Sequence, residues 1–153
     1  MTVTLKRMPT DRLAPWIERG HQHYIVSRML AGEAHEVAEA RASSSREENF
    51  PGDVPLDTHR VFDVLADGEV VGSLWLGPLP AGGTDWWVFD IEIDEAHRRR
   101  GHARRALELG HATAKDHGAT TIGLNVFGYN TGAKELYDSL GYAVTATQMK
   151  RDL

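Results

Sequence analysis

The chain of 153 residues contains no cysteine. Disulfides, thiolate metal sites and a cysteine nucleophile are therefore excluded. No apolar run is long enough to span a bilayer, so no membrane role is expected. Residues 1–30 mix charges throughout and carry no secretory signal, which points to a cytoplasmic protein. Excess positive charge is missing as well: 22 acidic against 17 basic residues give a formal net charge of -5. A chain so balanced repels nucleic acid as a whole, and none is expected as a partner. His21 and His23, or His97 and His102, are close in sequence but lack a set of further ligands, so no metal is expected. There is no internal repeat, linker or low-complexity segment, and the length suits a single domain, 1–153, with a sizeable core.

Against this acidic background, positive charge is concentrated in one place. Arg98, Arg99, Arg100, Arg104 and Arg105 surround Gly101, His102 and Ala103, directly after the apolar run Trp86 to Ile93. The pattern reads as a strand, a tight basic turn and a helix N-terminus. The first amides of a helix have no intrahelical partner, and the helix dipole adds partial positive charge there. Gly101 allows close backbone approach, Ala103 keeps the next turn small, and guanidinium groups match phosphate geometry. The stretch is a candidate site for a small polyanion, a polyphosphate above all.

Hydrophobic periodicity supplies the frame. Residues 2–7 alternate as a short strand, and a helix is expected over 11–30, weakened at Gly20. A second helix, 33–48, has only the thin apolar stripe of Ala34, Val37, Ala38 and Ala40, which suggests a mobile cover. Strands follow over 59–65 and 70–76, joined by an Asp67-Gly68 hairpin turn, and over 86–93. A helix over 99–117 carries small residues on its inner face. A strand over 120–127, a helix over 130–140 capped by Asn130, and a last strand over 142–150 complete the order. This is one mixed α/β (α+β) layered domain, in which the strands flanking the basic turn and its helix are parallel.

Two motifs in this order resemble the hallmarks of the GNAT N-acyltransferases. Arg98-Arg99-Arg100-Gly101-His102-Ala103 is similar to the family's pyrophosphate loop. Asn130-Thr131-Gly132-Ala133-Lys134-Glu135-Leu136-Tyr137, followed by Gly141-Tyr142, is similar to its second motif. The resemblance implies a central twisted mixed sheet of about six strands flanked by about four helices. It implies acetyl-CoA as cosubstrate and direct transfer of an acyl group to a primary amine. By the same resemblance, backbone groups of Ile91 and Ile93 pair with the pantetheine arm, and amides from Arg98 to Arg104 hold the pyrophosphate. Asn130 lies near the cysteamine end, and Tyr137 beside the sulfur. The first half, where family members read their acceptor, carries no motif, so the amine, on a small molecule or a peptide, stays unnamed. The short stretch after Tyr142 leaves the acceptor wall incomplete, which a homodimer would repair.

The chemistry of acyl transfer asks for two further groups. Most amines are protonated at neutral pH, so a carboxylate must take a proton; Glu92 is the first choice and Asp90, two residues earlier on the same strand face, the second. A departing thiolate needs a proton, which Tyr137 can donate because phenols titrate near about 10. An amide near Ile93 suits the oxyanion. Asn125 shares a side with Gly123 and is a candidate substrate contact. The alternative is a non-catalytic acyl-CoA-binding module that keeps the anion loop without the chemistry.

Overall fold

Asp67 and Gly68 both adopt positive φ, 50° and 86°. That geometry matches the twist of paired strands and folds β2 (Arg60–Ala66) tightly back on β3 (Glu69–Pro78). β1 (Val3–Arg7) adds to the free side of β2, and β4 (Asp85–Ile93) to the free side of β3, all antiparallel. α3 (His102–Asp116) then carries the chain back to β5 (Thr121–Gly123), which is parallel to β4. The computed structural model describes all of residues 1–153, and its five strands follow the order β1-β2-β3-β4-β5 in one sheet.

Alternation along β3 separates two cores. Leu74 and Leu76 point to one face, where they meet Val64, Val88, Ala106 and Leu107 beneath α3. The small residues of α3 permit this close docking: a methyl group on Gly110 would stand 2.9 Å from the Leu74 side chain. Trp75 points to the other face, beside Met8, Trp16, Ile17, Phe50 and Val61 beneath α1 (Thr10–Leu30). α2 (His35–Asn49) packs on α1 through Ala38 and Ala42 against Ile25. Of the expected stripe only Ala38 is buried; Ala34, Val37 and Ala40 are exposed, and the docking face is completed by Ala42 instead. Gly20 does not break α1, which is continuous from Thr10 to Leu30.

Three boundaries differ from the sequence expectation. α3 starts at His102 rather than near Arg99, because Arg99 takes a left-handed φ of 59° that a helix cannot include. β5 ends at Gly123 although alternation continues to Val126; Leu124 and Val126 stay half-buried after the ladder has stopped, so the pattern outlasts the pairing. The expected strand over 142–150 forms no ladder, which leaves five strands. Beyond the half-buried Tyr142 its apolar residues face solvent, with Val144 66% and Met149 88% exposed. α4 (Thr131–Ser139) precedes this tail, and Lys150 Nζ reaches the carbonyl of Gly32 at 3.3 Å, at the end of α1.

Candidate active site

The site is organised by a bulge in β4. Trp75 pairs with Asp90 and Leu76 with Val88, so Phe89 is the extra residue. β5 pairs with β4 only over Asp85–Trp87, just before the bulge. Beyond it, the edge of β4 from Val88 to Ile93 has no strand neighbour on the β5 side, and Ile91 and Ile93 both belong to that open edge. Unpaired backbone at a sheet edge is ready to accept an extended ligand as an added strand.

The open edge leads into the basic turn. After Ile93, one 3-10 turn (Glu95–His97) reverses the chain, and Arg98 Nε donates to the Ile93 carbonyl at 2.8 Å. That bond ties the turn to the strand end. Arg99 and Gly101 both adopt left-handed φ, 59° and 82°. The first intrahelical bond of α3 runs from the Arg105 amide to the Gly101 carbonyl at 3.2 Å, so the amides of His102, Ala103 and Arg104 have no helical acceptor. Apart from its own chain neighbours, no protein atom lies within 4 Å of where a Gly101 side chain would start. Arg99 and Arg100 are exposed. Arg104 instead reaches across to α4, donating to Ser139 Oγ at 2.6 Å, and Arg105 pairs with Glu108 at 3.2 Å. The His102 side chain is buried, its Nδ1 unpartnered. The geometry, charge and free amides of the turn fit a phosphate-bearing ligand.

At the bulge, titratable groups gather. Asp90 has an exposed surface at the bulge, while the protein around it is dense enough to desolvate its carboxyl. Desolvation and then the neighbouring Glu92 charge push its carboxyl up to about 7. Glu92 is half-buried, its Oε1 3.7 Å from His23 Nδ1 on α1. Register confirms the shared face: Ser73 pairs with Glu92 and Trp75 with Asp90, both on the α1 side. Tyr137 of α4 is half-buried, and burial followed by the Asp90 charge raises its phenol above the ordinary value. It therefore holds its proton at neutral pH.

Other neighbours were not legible in the sequence. Tyr142 meets the Tyr137 ring edge-on at 5.8 Å, and His111 Nε2 lies 2.6 Å from the Tyr142 hydroxyl. Burial lowers the His111 imidazole and, with the Tyr137 charge second, pushes the Tyr142 phenol up to about 12. Phe89, thrown out by the bulge, stacks on Trp75 and on His59, each at 4.7 Å. Trp75 Nε1 donates to His59 Nδ1 at 3.0 Å, and Trp16 stands edge-on to Trp75. This aromatic wall joins residues from four distant segments, so no local spacing announces it. Asn130 caps α4, its side-chain oxygen accepting from the Ala133 amide at 3.2 Å. Asn125 is exposed, two residues past the end of β5. No group of three or more histidine, aspartate or glutamate side chains is arranged to hold a metal ion, and no helix is long and apolar enough to cross a membrane.

The profile of the Acetyltransferase (GNAT) family matches residues 12–142, spanning both the open β4 edge and the two motifs. The chain belongs to the GNAT acetyltransferase family. Among curated relatives of Bacillus subtilis, the uncharacterized N-acetyltransferase YdgE is 28% identical, over 100% of this chain and 99% of its own. The uncharacterized N-acetyltransferase YycN is 25% identical over the full length of both chains. The crystal structure of YycN superposes with a TM-score of 0.90 at 24% identity, over 99% of each chain. A complex of AAC(6')-Iy with the bisubstrate analogue CoA-S-monomethyl-acetylneamine is more distant: TM-score 0.61, 14% identity, 100% of this chain and 99% of that one. These superpositions place the chain in the GNAT fold.

Proposed function

We propose that this GNAT domain is an acyl-CoA-dependent N-acetyltransferase, acting in the cytoplasm on a primary amine by direct transfer within a ternary complex. One observation carries it: the unpaired β4 edge runs from the carboxyl pair at the bulge to the free amides that open α3. A long ligand with a polyphosphate at one end and a reactive group at the other spans these two points.

The chain's own residues divide the work. The Arg98 amide already donates to the Glu95 carbonyl at 3.3 Å, so the amides from Arg99 to Arg104, with the exposed Arg99 and Arg100, hold the pyrophosphate. Backbone groups of Ile91 and Ile93 pair with the pantetheine arm, and Asn130 sits near its end while capping α4. The Asp90–Glu92 pair removes the proton of the incoming ammonium; Asp90 is the member poised near neutral pH. An amide at the open edge near Ile93 donates to the carbonyl oxygen as its charge grows. Tyr137 gives its proton to the departing thiolate. One nitrogen–carbon bond forms and one carbon–sulfur bond breaks; of the two protons the ammonium loses, the carboxyl pair takes the first before attack, and the second, released from nitrogen as the tetrahedral adduct collapses, replaces the proton that Tyr137 gave to the thiolate.

Titration with acetyl-CoA by calorimetry, with release of free CoA followed in an amine panel, tests this. Saturable binding that weakens with added salt is expected, since phosphate contacts are electrostatic. No binding at millimolar acetyl-CoA overturns it. Binding without CoA release from any amine favours the non-catalytic module.

A further inference from the structure

A cavity of about 250 Å³ lies between α1 and the β3–β4 face. α1 lays Arg12, Trp16, Arg19 and His23 along one side of the helix, at i, i+4, i+7 and i+11. Arg12, Trp16 and Arg19 line the cavity; opposite them stand Ser73, Glu92 and Asp94. His23 lies over Glu92 at 3.7 Å. The helix wall is thus cationic and the sheet wall anionic.

These charges neutralise one another only in part. Arg12 is engaged with Asp63, Nη1 to Oδ2 at 2.6 Å, while the second carboxyl oxygen of Asp63 is buried without a partner. Arg19 is exposed at the mouth and has no carboxylate within salt-bridge distance. Ser73 Oγ accepts from Trp16 Nε1 at 2.9 Å, which leaves its own proton free to be donated. Glu92 belongs both to this cavity and to the carboxyl pair at the bulge. A ligand that fills the cavity and satisfies both walls carries a cationic nitrogen toward Glu92 and an anionic group toward Arg19 and the Ser73 hydroxyl.

We propose that the acceptor is a free amino acid, its amine at the Asp90–Glu92 pair and its carboxylate held by Arg19. This rests on the acetyl-transfer reading of the same site and names its substrate class. A guanidinium is suited to this task because its planar fork matches a carboxylate in two parallel hydrogen bonds. The same cationic wall disfavours polyamines and other polycations, which bring positive charge to every part of the cavity.

The test compares matched pairs with acetyl-CoA and the full chain: phenylalanine with phenethylamine, leucine with isopentylamine, lysine with cadaverine. CoA release is followed, and acetyl-CoA binding is measured in parallel by calorimetry. The amino acid of each pair is expected to exceed its decarboxylated partner by about tenfold or more in kcat/KM. Arg19→Gln shrinks that ratio by about tenfold, chiefly through the KM of the amino acid, and Arg19→Lys restores part of it. Arg19 is exposed, so both variants should fold. Equal or better use of the decarboxylated amines, or an unchanged ratio in Arg19→Gln, overturns the amino-acid assignment and leaves acetyl transfer standing. Acetyl-CoA binding with no amine used at all overturns it too. Absence of acetyl-CoA binding removes both readings together.

Discussion

His111 Nε2 lies 2.6 Å from the Tyr142 hydroxyl, and the Tyr142 ring in turn meets Tyr137 edge-on at 5.8 Å. A helix α3 side chain thus fixes, through one intermediary, the phenol proposed as general acid. Tyr137→Phe keeps the ring packing and removes the proton, so turnover should fall by about 10²-fold while acetyl-CoA still binds. Tyr142→Phe breaks the bond to His111 and should lower kcat less, by about tenfold, through misplacement of Tyr137. Steady-state kinetics beside a binding isotherm separates the two; equal rates in wild type and Tyr137→Phe remove the tyrosine from the mechanism.

The Asp90–Glu92 pair makes a prediction in pH. A base must be ionised, so wild-type kcat/KM should rise through about pH 7, where Asp90 titrates. Asp90→Asn should lose that limb and about 10²-fold in rate. Glu92→Gln removes a like charge, which eases ionisation of Asp90 and should move the limb to lower pH. A pH–rate profile for the three proteins decides it.

The same carboxyl bears on stability, with a definite sign. An unfolded aspartate titrates near about 4, whereas folded Asp90 titrates at about 7. Between these values the folded state keeps a proton that the unfolded state has lost. Stability present below about pH 4 therefore declines as the pH rises through about 7. Asp90→Asn abolishes the decline and should melt higher than wild type at pH 8, with little difference at pH 4. Thermal unfolding at the two pH values checks it.

Gly101 and Gly118 form a matched pair. Both hold left-handed φ, 82° and 89°, and at both a side chain would enter open space. Valine at either position should cost about 1–2 kcal/mol of backbone strain. Only Gly101→Val should also weaken acetyl-CoA binding, by about tenfold or more, since only there must the backbone approach a phosphate closely. Comparable cofactor affinity in the two folded variants would displace the pyrophosphate from this turn.

Gly72 is required for a different reason. A methyl group there would stand 2.1 Å from the Glu92 carbonyl oxygen, a backbone atom that cannot rotate away. Gly72→Ala should force β3 and β4 apart and cost about 2 kcal/mol or more. A lowered melting temperature is expected, and an unchanged one would contradict the strand spacing.

What the sequence revealed follows from the range of the forces involved. The Asp67-Gly68 turn, the small-residue face of α3 and the Asn130 cap are local, and each is where the residues suggest. The bulge at Phe89 is not local. It arises from how β4 pairs with β3, and it falls just beyond Trp87, where the ladder to β5 ends. The aromatic wall and the His111–Tyr142 bond are equally products of tertiary packing. The tail from Tyr142 onward alternates like a strand because its residues could pair, yet pairing needs a neighbour that alternation cannot supply.

The short ladder between β4 and β5 has a consequence outside catalysis. Only Asp85–Trp87 and Thr121–Gly123 hold the two strands together, and the chain supplies nothing to complete the edge beyond them. On the proposed reading a metabolite finishes the sheet, and its free energy of binding adds to that of folding as RT ln(1 + [L]/Kd). The lifetime of the protein in a cell would then follow the acetyl-CoA pool: well supplied, it resists proteolysis; starved, its open edge is the place where unfolding begins.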